Sequence, residues 1–460
     1  MGQSKLILTI CPSWGPELPP LGIALLKSSL NQHDIQCDLI DFNIECYNKL
    51  KHQDRIRLWD KSNLDPWLCP QRFEHEILPL LEPLIDQLVN QLIAHPAPYI
   101  GFTVLDSNVW VSNIVADRLK QHTNKVLIAG GPETTFKEPR VKISKSFDYY
   151  FVGEGEQAIV EIIRWLDSNK NKPSPQGVYS TMGELCIDRQ FVQSSLNQSV
   201  VPDFSSLLLN TYVENALPII TSRSCLFKCR FCSDFKSMGT FRKLSTDHIV
   251  AILSHYYKLG YRKLWFNDLL INGVMEELCS AFEKLANNGQ RFTWIALATP
   301  NKQLTSTHLN TLKSYGLQTL NLGLESGSND VMKMMKKGFN QKYCSEALQR
   351  IFESKINTQL NIIVGFPGET EDHFLETLQF LDNHKQYISG FTSINSCIAL
   401  PGSFLSDNKE RYAIQFPENQ DPSLWFSVDN TPEIRANRLS RLKQWIQDNH
   451  YNIYASNQAD

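Results

Sequence analysis

The 460-residue chain lacks long uncharged apolar runs, a strong excess of one charge and a small-residue cleavage site near its N-terminus. No stretch reaches the roughly 18 apolar residues of a membrane-spanning helix, which predicts a protein without a membrane partner. The 45 basic residues nearly balance the 48 acidic ones, and a net charge of −3 disfavours nucleic acid as the main partner. We therefore expect a cytoplasmic protein, whose 11 cysteines are thiols rather than disulfides.

Strand-like and helix-like segments alternate in residues 1–168, which we interpret as one domain. A polar, helix-rich segment at 46–98 looks like an insertion between the second and third strands. Such alternation predicts a parallel, Rossmann-like α/β sheet that binds its ligand at the carboxyl ends of the strands. The predicted strands are Leu6–Ile10, Cys37–Phe42, Tyr99–Val104, Lys125–Ala129 and Asp148–Val152.

After a predicted linker at 169–213, a second series of strands and helices fills residues 214–404. Six βα units at this spacing predict a partial (β/α)6 barrel of the TIM type, with its chemistry on the loops after the strands. A C-terminal extension, 405–460, shows little pattern before a helix near Pro432–Gln447. The six predicted strands are Leu217–Thr221, Lys263–Asn267, Phe292–Leu297, Thr319–Leu324, Gln359–Val364 and Gly390–Ile398.

The most informative segment holds Cys225, Cys229 and Cys232, directly after the first strand of the second series. Three thiols spaced C-x3-C-x2-C in one tight loop can direct their sulfurs at one centre, and thiolates suit iron–sulfur clusters or zinc. Structural zinc usually takes four protein ligands, and no second pair with C-x2-C or H-x3-H spacing occurs. The spacing predicts a 4Fe–4S cluster with one iron open, against the alternatives of zinc and of packed thiols.

Around this motif, residues 215–402 resemble the radical S-adenosylmethionine (SAM) superfamily. An aromatic residue precedes the last cysteine, an acidic residue follows the second strand, and ALPGS at 399–403 looks like the closing sixth-strand turn. LGLESGS at 322–328 and GFPGET at 365–370 look like the fourth- and fifth-strand motifs of that family. By this resemblance, the SAM-binding residues are Phe231, Asp268, Glu325, Ser326, Gly365, Pro367 and Gly368.

The resemblance also implies a reaction. The open iron of the cluster would chelate the amino and carboxylate groups of SAM, and an electron from a donor such as flavodoxin or ferredoxin would cleave it. The resulting 5′-deoxyadenosyl radical would abstract hydrogen from a small-molecule or peptide substrate. The cofactors supply this chemistry, while the protein supplies position and exclusion of water. The resemblance assigns no further catalytic residue.

Residues 5–166 resemble the cobalamin-binding domain that precedes many radical SAM enzymes. PPLG at 19–22, GGPE at 130–133 and VGEGE at 152–156 follow the order of that domain. The cobalt-binding motif Asp-x-His-x-x-Gly of cobalamin mutases is absent from the sequence, so the lower axial ligand of cobalt stays unassigned. By resemblance, the cobalamin-binding residues are Ser13, Trp14, Gly22, Thr103, Gly130, Gly131, Glu133, Gly153 and Glu154.

Two other interpretations of the N-terminal domain stay open at this point. GEGEQA at 153–158 fits the G-x-G-x-x-A dinucleotide fingerprint. That fingerprint belongs after the first strand rather than the fifth, and here it would place Glu154 and Glu156 beside a pyrophosphate. The domain could also bind nothing and only shape the substrate cleft, because fold does not fix function.

Together, the two resemblances predict a cobalamin-dependent enzyme that methylates an unactivated carbon of a natural product or a peptide. In such methylases the substrate radical takes a methyl group from methylcobalamin, and a second SAM remethylates the cobalamin. The alternatives are a radical rearrangement, cyclisation or oxidation without methyl transfer, and a non-catalytic iron–sulfur electron-transfer protein. An open iron argues against the last, because electron carriers usually bind every iron through protein ligands.

Overall fold

A computed structural model describes residues 4–60, 64–136, 142–168, 175–180, 192–193, 195–196, 200–418 and 421–453. The chain folds into two compact units, which meet in the sequence between Pro218 and Ile219. Ser195 and Leu196 group with the second unit rather than with the first.

The first unit contains a six-stranded sheet in the order β2-β1-β3-β4-β5-β6. Neighbouring strands are parallel except for the last pair, which is antiparallel. Each of the five predicted strands is present, with ends that differ by a residue or two. The strands are β1 Leu6–Ile10, β2 Cys37–Asp41, β3 Tyr99–Thr103, β4 Val126–Gly130, β5 Tyr149–Phe151 and β6 Val178–Ser180.

Helices cover both faces of this sheet, in two layers with separate apolar cores. The first and last helices, α1 and α8, pack together on one face, and α6 packs with α7 on the other. The strand order reverses between β1 and β3, and ligands of doubly wound sheets bind at such a switch point. The helices are α1 Leu21–Asn31, α2 Phe42–Lys49, α3 His52–Leu58, α4 Asp65–Leu68, α5 Pro70–Arg72, α6 Leu78–Ala94, α7 Val109–His122 and α8 Gly155–Asp167.

The second half of the segment predicted as an insertion, 46–98, forms one of the layers that build the core. Helix α6 carries apolar residues at helical spacing, and these are buried in the same core as the inner residues of β3. The interpretation as an added, polar insertion was therefore wrong for α6, which is the crossover between β2 and β3. The buried positions of α6 are Leu81, Ile85, Leu88, Val89 and Leu92.

This crossover also corrects the expectation that no segment could span a membrane. A π-helical turn at Phe73–Ile77 joins α5 to α6. The resulting continuous helix Pro70–Ala94 is long and apolar enough to span a membrane by length and composition alone. Its apolar side packs in the core, however, and its other side carries Glu82 and Asp86, which bind Arg118 at 2.5 and 2.6 Å. A helix with one apolar and one charged side is typical of a sheet-covering layer.

Apart from Ser195 and Leu196, the described part of the predicted linker 169–213 belongs to the first unit. Strand β6 continues the sheet, and the hydroxyl of Tyr212 donates to the buried carboxylate of Asp41 at 2.7 Å. Buried hydrogen bonds of this kind hold the segment against the domain that precedes it. The remaining residues of the predicted linker, 169–174, 181–191, 194 and 197–199, lie outside the described residues.

The second unit contains six parallel strands in the order β14-β13-β12-β11-β10-β7, which is the order of the sequence. Right-handed connections between sequential neighbours place their helices on one face of the sheet, as in a partial barrel. The six predicted strands are all found, with changed ends. They are β7 Leu217–Ile219, β10 Lys263–Phe266, β11 Thr293–Ala298, β12 Leu317–Glu325, β13 Asn357–Val364 and β14 Gly390–Ser396.

Two further strands, β8 Ser222–Arg223 and β9 Arg242–Lys243, form a separate antiparallel ribbon next to the barrel strands. The helix predicted near the C-terminus is present and ends one residue later. The helices of this unit are α9 Asp234–Ser237, α10 Thr246–Lys258, α11 Met275–Asn287, α12 Ser306–Ser314, α13 Asn329–Met334, α14 Gln341–Glu353, α15 Glu371–Asn383, α16 Phe404–Asp407 and α17 Pro432–Asp448.

Candidate active site

The loop that carries the three cysteines is held at its base and on its far side. The β8–β9 ribbon closes the base, where Ser224 Oγ donates to the carbonyl of Gly239 at 2.6 Å. On the far side, the backbone N–H of Arg230, between the second and third cysteines, donates to the carbonyl of Met335 at 3.0 Å. These contacts fix the backbone of the loop, so the thiols need little ordering when they bind a ligand.

The thiols of Cys225, Cys229 and Cys232 are partly exposed, and Cys225 and Cys232 each interact electrostatically with Cys229. Burial raises the pKa of Cys225, and the neighbouring Cys229 thiol raises it further. Among the described residues, no three His, Cys, Asp or Glu side chains converge as ligands of a single metal ion would. Three neighbouring but separate sulfurs fit a 4Fe–4S cluster, in which each thiolate binds its own iron.

A buried ion pair lies beside the cysteines. Lys337 Nζ is 3.3 Å from Glu325 Oε1 and 5.6 Å from the centre of the Phe231 ring. Burial lowers the pKa of Lys337, but Glu325 and the Cys229 thiol together outweigh it, and the pKa lies above its ordinary value. The amine is therefore charged, and it joins Glu325 to Phe231 of the cysteine loop, both of them predicted SAM-binding residues.

Asp268, predicted to bind SAM, has a different set of partners. Its carboxylate accepts from the backbone and hydroxyl of Thr221 at 2.8–3.1 Å and from Ser222 Oγ at 2.6 Å. Burial raises the pKa of Asp268 to about 6, although these hydrogen bonds act in the opposite direction. The side chain therefore anchors the start of the cysteine loop, and its contact with SAM stays a prediction from the resemblance.

Ser326 follows Glu325 in the same motif and is another predicted SAM-binding residue. It is fully buried, and its hydroxyl lies 3.1 Å from Thr377 Oγ1 while it accepts from the backbone N–H of Ser328. These bonds fix the turn that follows β12. Within the LGLESGS motif, the structure thus leaves Glu325 near the cysteines and gives Ser326 a structural role.

The loop after β13 is held from the C-terminal helix α17. Gly365 has φ +77°, and a Cβ there would lie 2.3 Å from the side chain of the buried Arg435. The backbone N–H of Gly365 donates to Glu369 Oε2 at 2.6 Å, and that oxygen also accepts from Arg438 at 3.0 Å. A side chain at Gly365 would therefore displace Arg435 and strain the backbone, whatever it does to a ligand.

The remaining residues of this motif are placed less tightly. Pro367 is buried, whereas Gly368 is exposed with φ +88°. A Cβ at Gly368 would lie 3.0 Å from Met334 Sδ, the flexible end of a side chain. The loop thus presents an open backbone at Gly368, and no sequence motif indicates the arginines that hold its other end.

In the first unit, the predicted cobalamin-binding residues share one edge of the sheet. Ser13 and Trp14 follow β1, Thr103 ends β3, and Ser107 Oγ after β3 donates to the carbonyl of Ser13 at 2.7 Å. This contact joins the two strands between which the order reverses. The other predicted residues lie at the same carboxyl edge, after β4 and β5 or in the first turn of α1, namely Gly22, Gly130, Gly131, Glu133, Gly153 and Glu154.

The glycines of this edge differ in what surrounds them. Gly131 has φ +111°, and a Cβ there would lie 2.7 Å from the backbone carbonyl of Val104, so it is required by the fold. A Cβ at Gly130 would make only ordinary contacts, and one at Gly22 would meet nothing within 4 Å. Gly22 is exposed, so it is a position at which a bulky side chain can be added without disturbing the sheet.

Three buried polar atoms near this edge have no hydrogen-bond partner among the described residues, and they are Trp14 Nε1, Asn43 Nδ2 and Glu133 Oε2. Burial raises the pKa of Glu133 to about 7. Buried polar groups without partners are costly and are usually satisfied by water or a ligand. A ligand with many peripheral amides, such as a corrin, fits this donor and acceptor set.

Part of the second unit matches a known protein family, and a longer part of the chain matches a known relative. Residues 219–381 match the radical SAM superfamily. An uncharacterized methyltransferase of Pyrococcus horikoshii is 24% identical over 291 residues, which cover 61% of this chain and 63% of that protein. The chain thus spans less than two thirds of the length of this relative.

Two solved structures resemble the whole chain. The radical SAM methyltransferase TsrM of Kitasatospora setae, with its tryptophan substrate and a SAM analogue bound, has a TM-score of 0.73 at 13% identity and covers 99% of this chain and 94% of its own. The cobalamin-dependent radical SAM enzyme OxsB, with aqua-cobalamin and SAM bound, has a TM-score of 0.71 at 15% identity and covers 97% and 67%. The predicted fold class is confirmed. Residues 219–381 therefore match the radical SAM superfamily, in a chain whose fold is that of TsrM and OxsB.

Proposed function

We propose that the chain is a radical SAM enzyme that uses cobalamin to methylate an unactivated carbon of a small molecule or peptide. The fold it shares with TsrM and OxsB over 97% or more of its length supports this proposal, as does the methyltransferase among its relatives. A cytoplasmic location, an electron donor such as flavodoxin or ferredoxin, and the absence of nucleic-acid and membrane partners remain predictions from the sequence.

In the second unit, Cys225, Cys229 and Cys232 would hold the cluster, and the open iron would hold SAM. When bound, the cluster and SAM supply a 5′-deoxyadenosyl radical, and cobalamin supplies the methyl group. Lys337 provides positive charge beside the cysteines, which favours an anionic cluster. Glu325 keeps Lys337 in place through their 3.3 Å contact, and Asp268 holds the base of the loop.

The observation that carries the cobalamin assignment is the edge of the first sheet at its switch point. There, glycines stand at the ends of β4 and β5, and Trp14 Nε1, Asn43 Nδ2 and Glu133 Oε2 have no hydrogen-bond partner in the part of the chain that the structure describes. The loops after β1, β3, β4 and β5 contain no histidine in residues 11–20, 104–108, 131–136 or 152–154. Cobalamin bound at this edge would therefore lack a histidine ligand from these loops.

This proposal predicts that the anaerobically reconstituted protein binds hydroxocobalamin stoichiometrically, with an absorption spectrum of a form without histidine ligation. Gly22→Trp should abolish binding, because an indole would occupy the open space at the start of α1, while its iron content stays at the wild-type value. Gly22→Ala, a small change in the same open space, is the matched control and should bind normally.

With a candidate substrate, methyl-labelled SAM should give labelled product only when methylcobalamin is present. A wild-type protein that holds its cluster and cleaves SAM but never retains cobalamin would reject the methylase. The rearrangement, cyclisation or oxidation alternative would then apply, with the first unit shaping the substrate cleft.

A further inference from the structure

The barrel sheet of the second unit has two faces of different character. Phe266 and Trp294 pack against Phe282 of α11, with the rings of Trp294 and Phe282 stacked at 5.0 Å, so these residues mark the face that carries helices. Side chains alternate along a strand, and the intervening residues lie on the opposite, inner face. The inner-face residues are partly exposed, and they are Trp265, Ile295, Leu297, Asn321, Gly323, Gln359, Asn361 and Ile363.

The strand register brings the inner-face residues of neighbouring strands side by side. Trp265 pairs with Ile295, and Leu297 pairs with Asn321. Gly323 pairs with Asn361 on the next strand, so Asn361 is a diagonal neighbour of Asn321. An apolar half on β10 and β11 therefore adjoins a half made of side-chain amides on β12 and β13.

Three polar atoms of this face are buried without a hydrogen-bond partner among the described residues. They are the Nε1 donor of Trp265 and the Oδ1 acceptors of Asn321 and Asn361. Gln359, between them, is satisfied by Thr392 Oγ1 at 2.9 Å. Buried polar atoms without protein partners usually bind water or a ligand, so we expect water or a ligand to supply one acceptor and two donors on this face.

The inner face carries no charged residue at the eight positions named above. Beside Gly323 lie Glu325 and Lys337, whose opposite charges are paired. A Cβ at Gly323 would lie 2.9 Å from Glu325 Oε1, so the inner face continues up to the pair that adjoins the cysteine loop. A neutral surface beside the proposed cluster does not suit a carboxylate or phosphate, which would bury its charge without a partner.

We propose that the inner face binds the reacting part of the substrate, and that this part is an uncharged amide attached to an apolar ring or chain. An amide supplies N–H donors for Asn321 and Asn361 and a carbonyl acceptor for Trp265, while Ile295 and Leu297 contact the apolar part. This inference rests on the proposed function, because it names the substrate class for that same site.

Three small probes of one shape test the proposal. Benzamide carries the amide on an apolar ring, acetophenone replaces its NH2 with a methyl group, and benzoate replaces it with a charged oxygen. Titrations of the reconstituted enzyme followed by ligand-observed NMR should show benzamide binding about tenfold tighter than acetophenone, the effect of a buried hydrogen-bond pair. Benzoate should bind more weakly than benzamide.

Variants of the two asparagines test whether the preference for benzamide over acetophenone arises at the inner face. Asn321→Leu and Asn361→Leu keep the side-chain size and remove one acceptor each, so each should lower the benzamide-to-acetophenone ratio, and the double variant should bring it close to one. Asn357→Leu is the matched control, because Asn357 lies at the exposed start of β13, and this variant should keep the wild-type ratio.

Equal affinities of benzamide and acetophenone for the wild-type enzyme would overturn the proposal, since water alone would then satisfy the unpaired atoms. A ratio that survives in both inner-face variants, or tighter binding of benzoate, would overturn it too. SAM cleavage and cobalamin retention, measured on the same preparations, report on the proposed function separately. An enzyme that passes those two measurements and fails the probe series has lost only the substrate assignment.

Discussion

Lys337 is the residue beside the cysteines that no sequence motif identifies. It stands in a run of lysines and methionines, KMMKKG at 333–338, where a solvated surface lysine is the ordinary expectation. In the fold its side chain is only 6% exposed, since the backbone between α13 and α14 directs it onto Glu325. Fold-level packing alone distinguishes this lysine from the exposed Lys333 and Lys336 beside it.

Removing one member of this buried pair should be far more damaging than removing both charges. Lys337→Met leaves Glu325 buried without its partner, and breaking such a pair costs about 3–5 kcal/mol. We expect the thermal unfolding midpoint to fall by on the order of 10 °C for a chain of this size. The double variant Glu325→Gln/Lys337→Met should recover most of the loss.

The matched control is Lys336→Met, an exposed neighbour for which we expect no change beyond a degree or so. Differential scanning fluorimetry under anaerobic conditions measures all of these midpoints. A single variant as stable as the double variant would show that the ion pair contributes nothing.

At the scale of elements, helix α17 holds the loop after β13 through a row of arginines. Arg438 binds Glu369, whose carboxylate accepts from the backbone of Gly365, and Arg441 binds the exposed Glu371 at 2.5 Å. Arg435 packs against Gly365 itself. The C-terminal extension, which shows little pattern in the sequence, therefore shapes a loop that the resemblance assigns to SAM.

Arg438→Gln should weaken SAM binding by about tenfold, because the loop from Gly365 to Glu369 loses the group that fixes its carboxylate. Iron content should stay at the wild-type value, since the cysteine loop has no contact with Arg438. Equilibrium binding of SAM to the reconstituted enzyme measures this effect.

Arg441→Gln is the control, because its partner Glu371 is half exposed and such surface pairs contribute little. Arg438→Lys should restore part of the affinity by keeping the charge. If Arg438→Gln and Arg441→Gln lowered stability and SAM affinity equally, the helix would act only as general support for the fold.

At the scale of the whole molecule, each unit has its own sheet and its own apolar core. The first unit buries two layers of apolar residues around its sheet, and the loops after β13 and β14 of the second pack on a separate cluster that includes Phe366 and Trp425. Sites built on separate cores respond to mutation independently, because distant changes add without coupling.

The proposed cluster and cobalamin sites should therefore be lost one at a time. The triple variant Cys225→Ala/Cys229→Ala/Cys232→Ala should lose the roughly four irons of a 4Fe–4S cluster and still bind hydroxocobalamin. Gly22→Trp should do the reverse. Iron analysis and cobalamin absorbance on the same samples give both quantities, and a triple variant that keeps its full iron would refute the cysteine assignment.

Much of the fold follows from local pattern. Apolar runs separated by helical periodicity mark the parallel strands of the first sheet, because strands covered on both faces need little polar sequence. In the second sheet, apolar residues alternate with more exposed ones along the strands, because helices cover one face. The cysteine motif and the glycine motifs are likewise readable, since their spacing within one loop already limits where their side chains and backbone can be. Each of these features depends on residues that are close in the sequence.

Other features depend on residues that are distant in the sequence. Asp268 and Ser326 stand where the motifs of the superfamily would bind SAM, yet Thr221 and Thr377, some 50 residues away in each case, take up their hydrogen bonds. The apolar helix α6 belongs to the core because the topology places it over β3. Local pattern carries no information about such partners.

The sequence by itself determined the two α/β series, the three-thiol loop and the strand-end glycines, because short-range spacing and periodicity specify them. Only the tertiary structure decided which polar residues are already occupied and which remain unpaired. It paired Lys337 with Glu325 and used Asp268 to hold the cysteine loop. On one neutral face it left the Oδ1 atoms of Asn321 and Asn361 without a partner among the described residues. The physical reason is that a hydrogen bond or ion pair needs two groups, and only the folded chain brings groups that are distant in the sequence together.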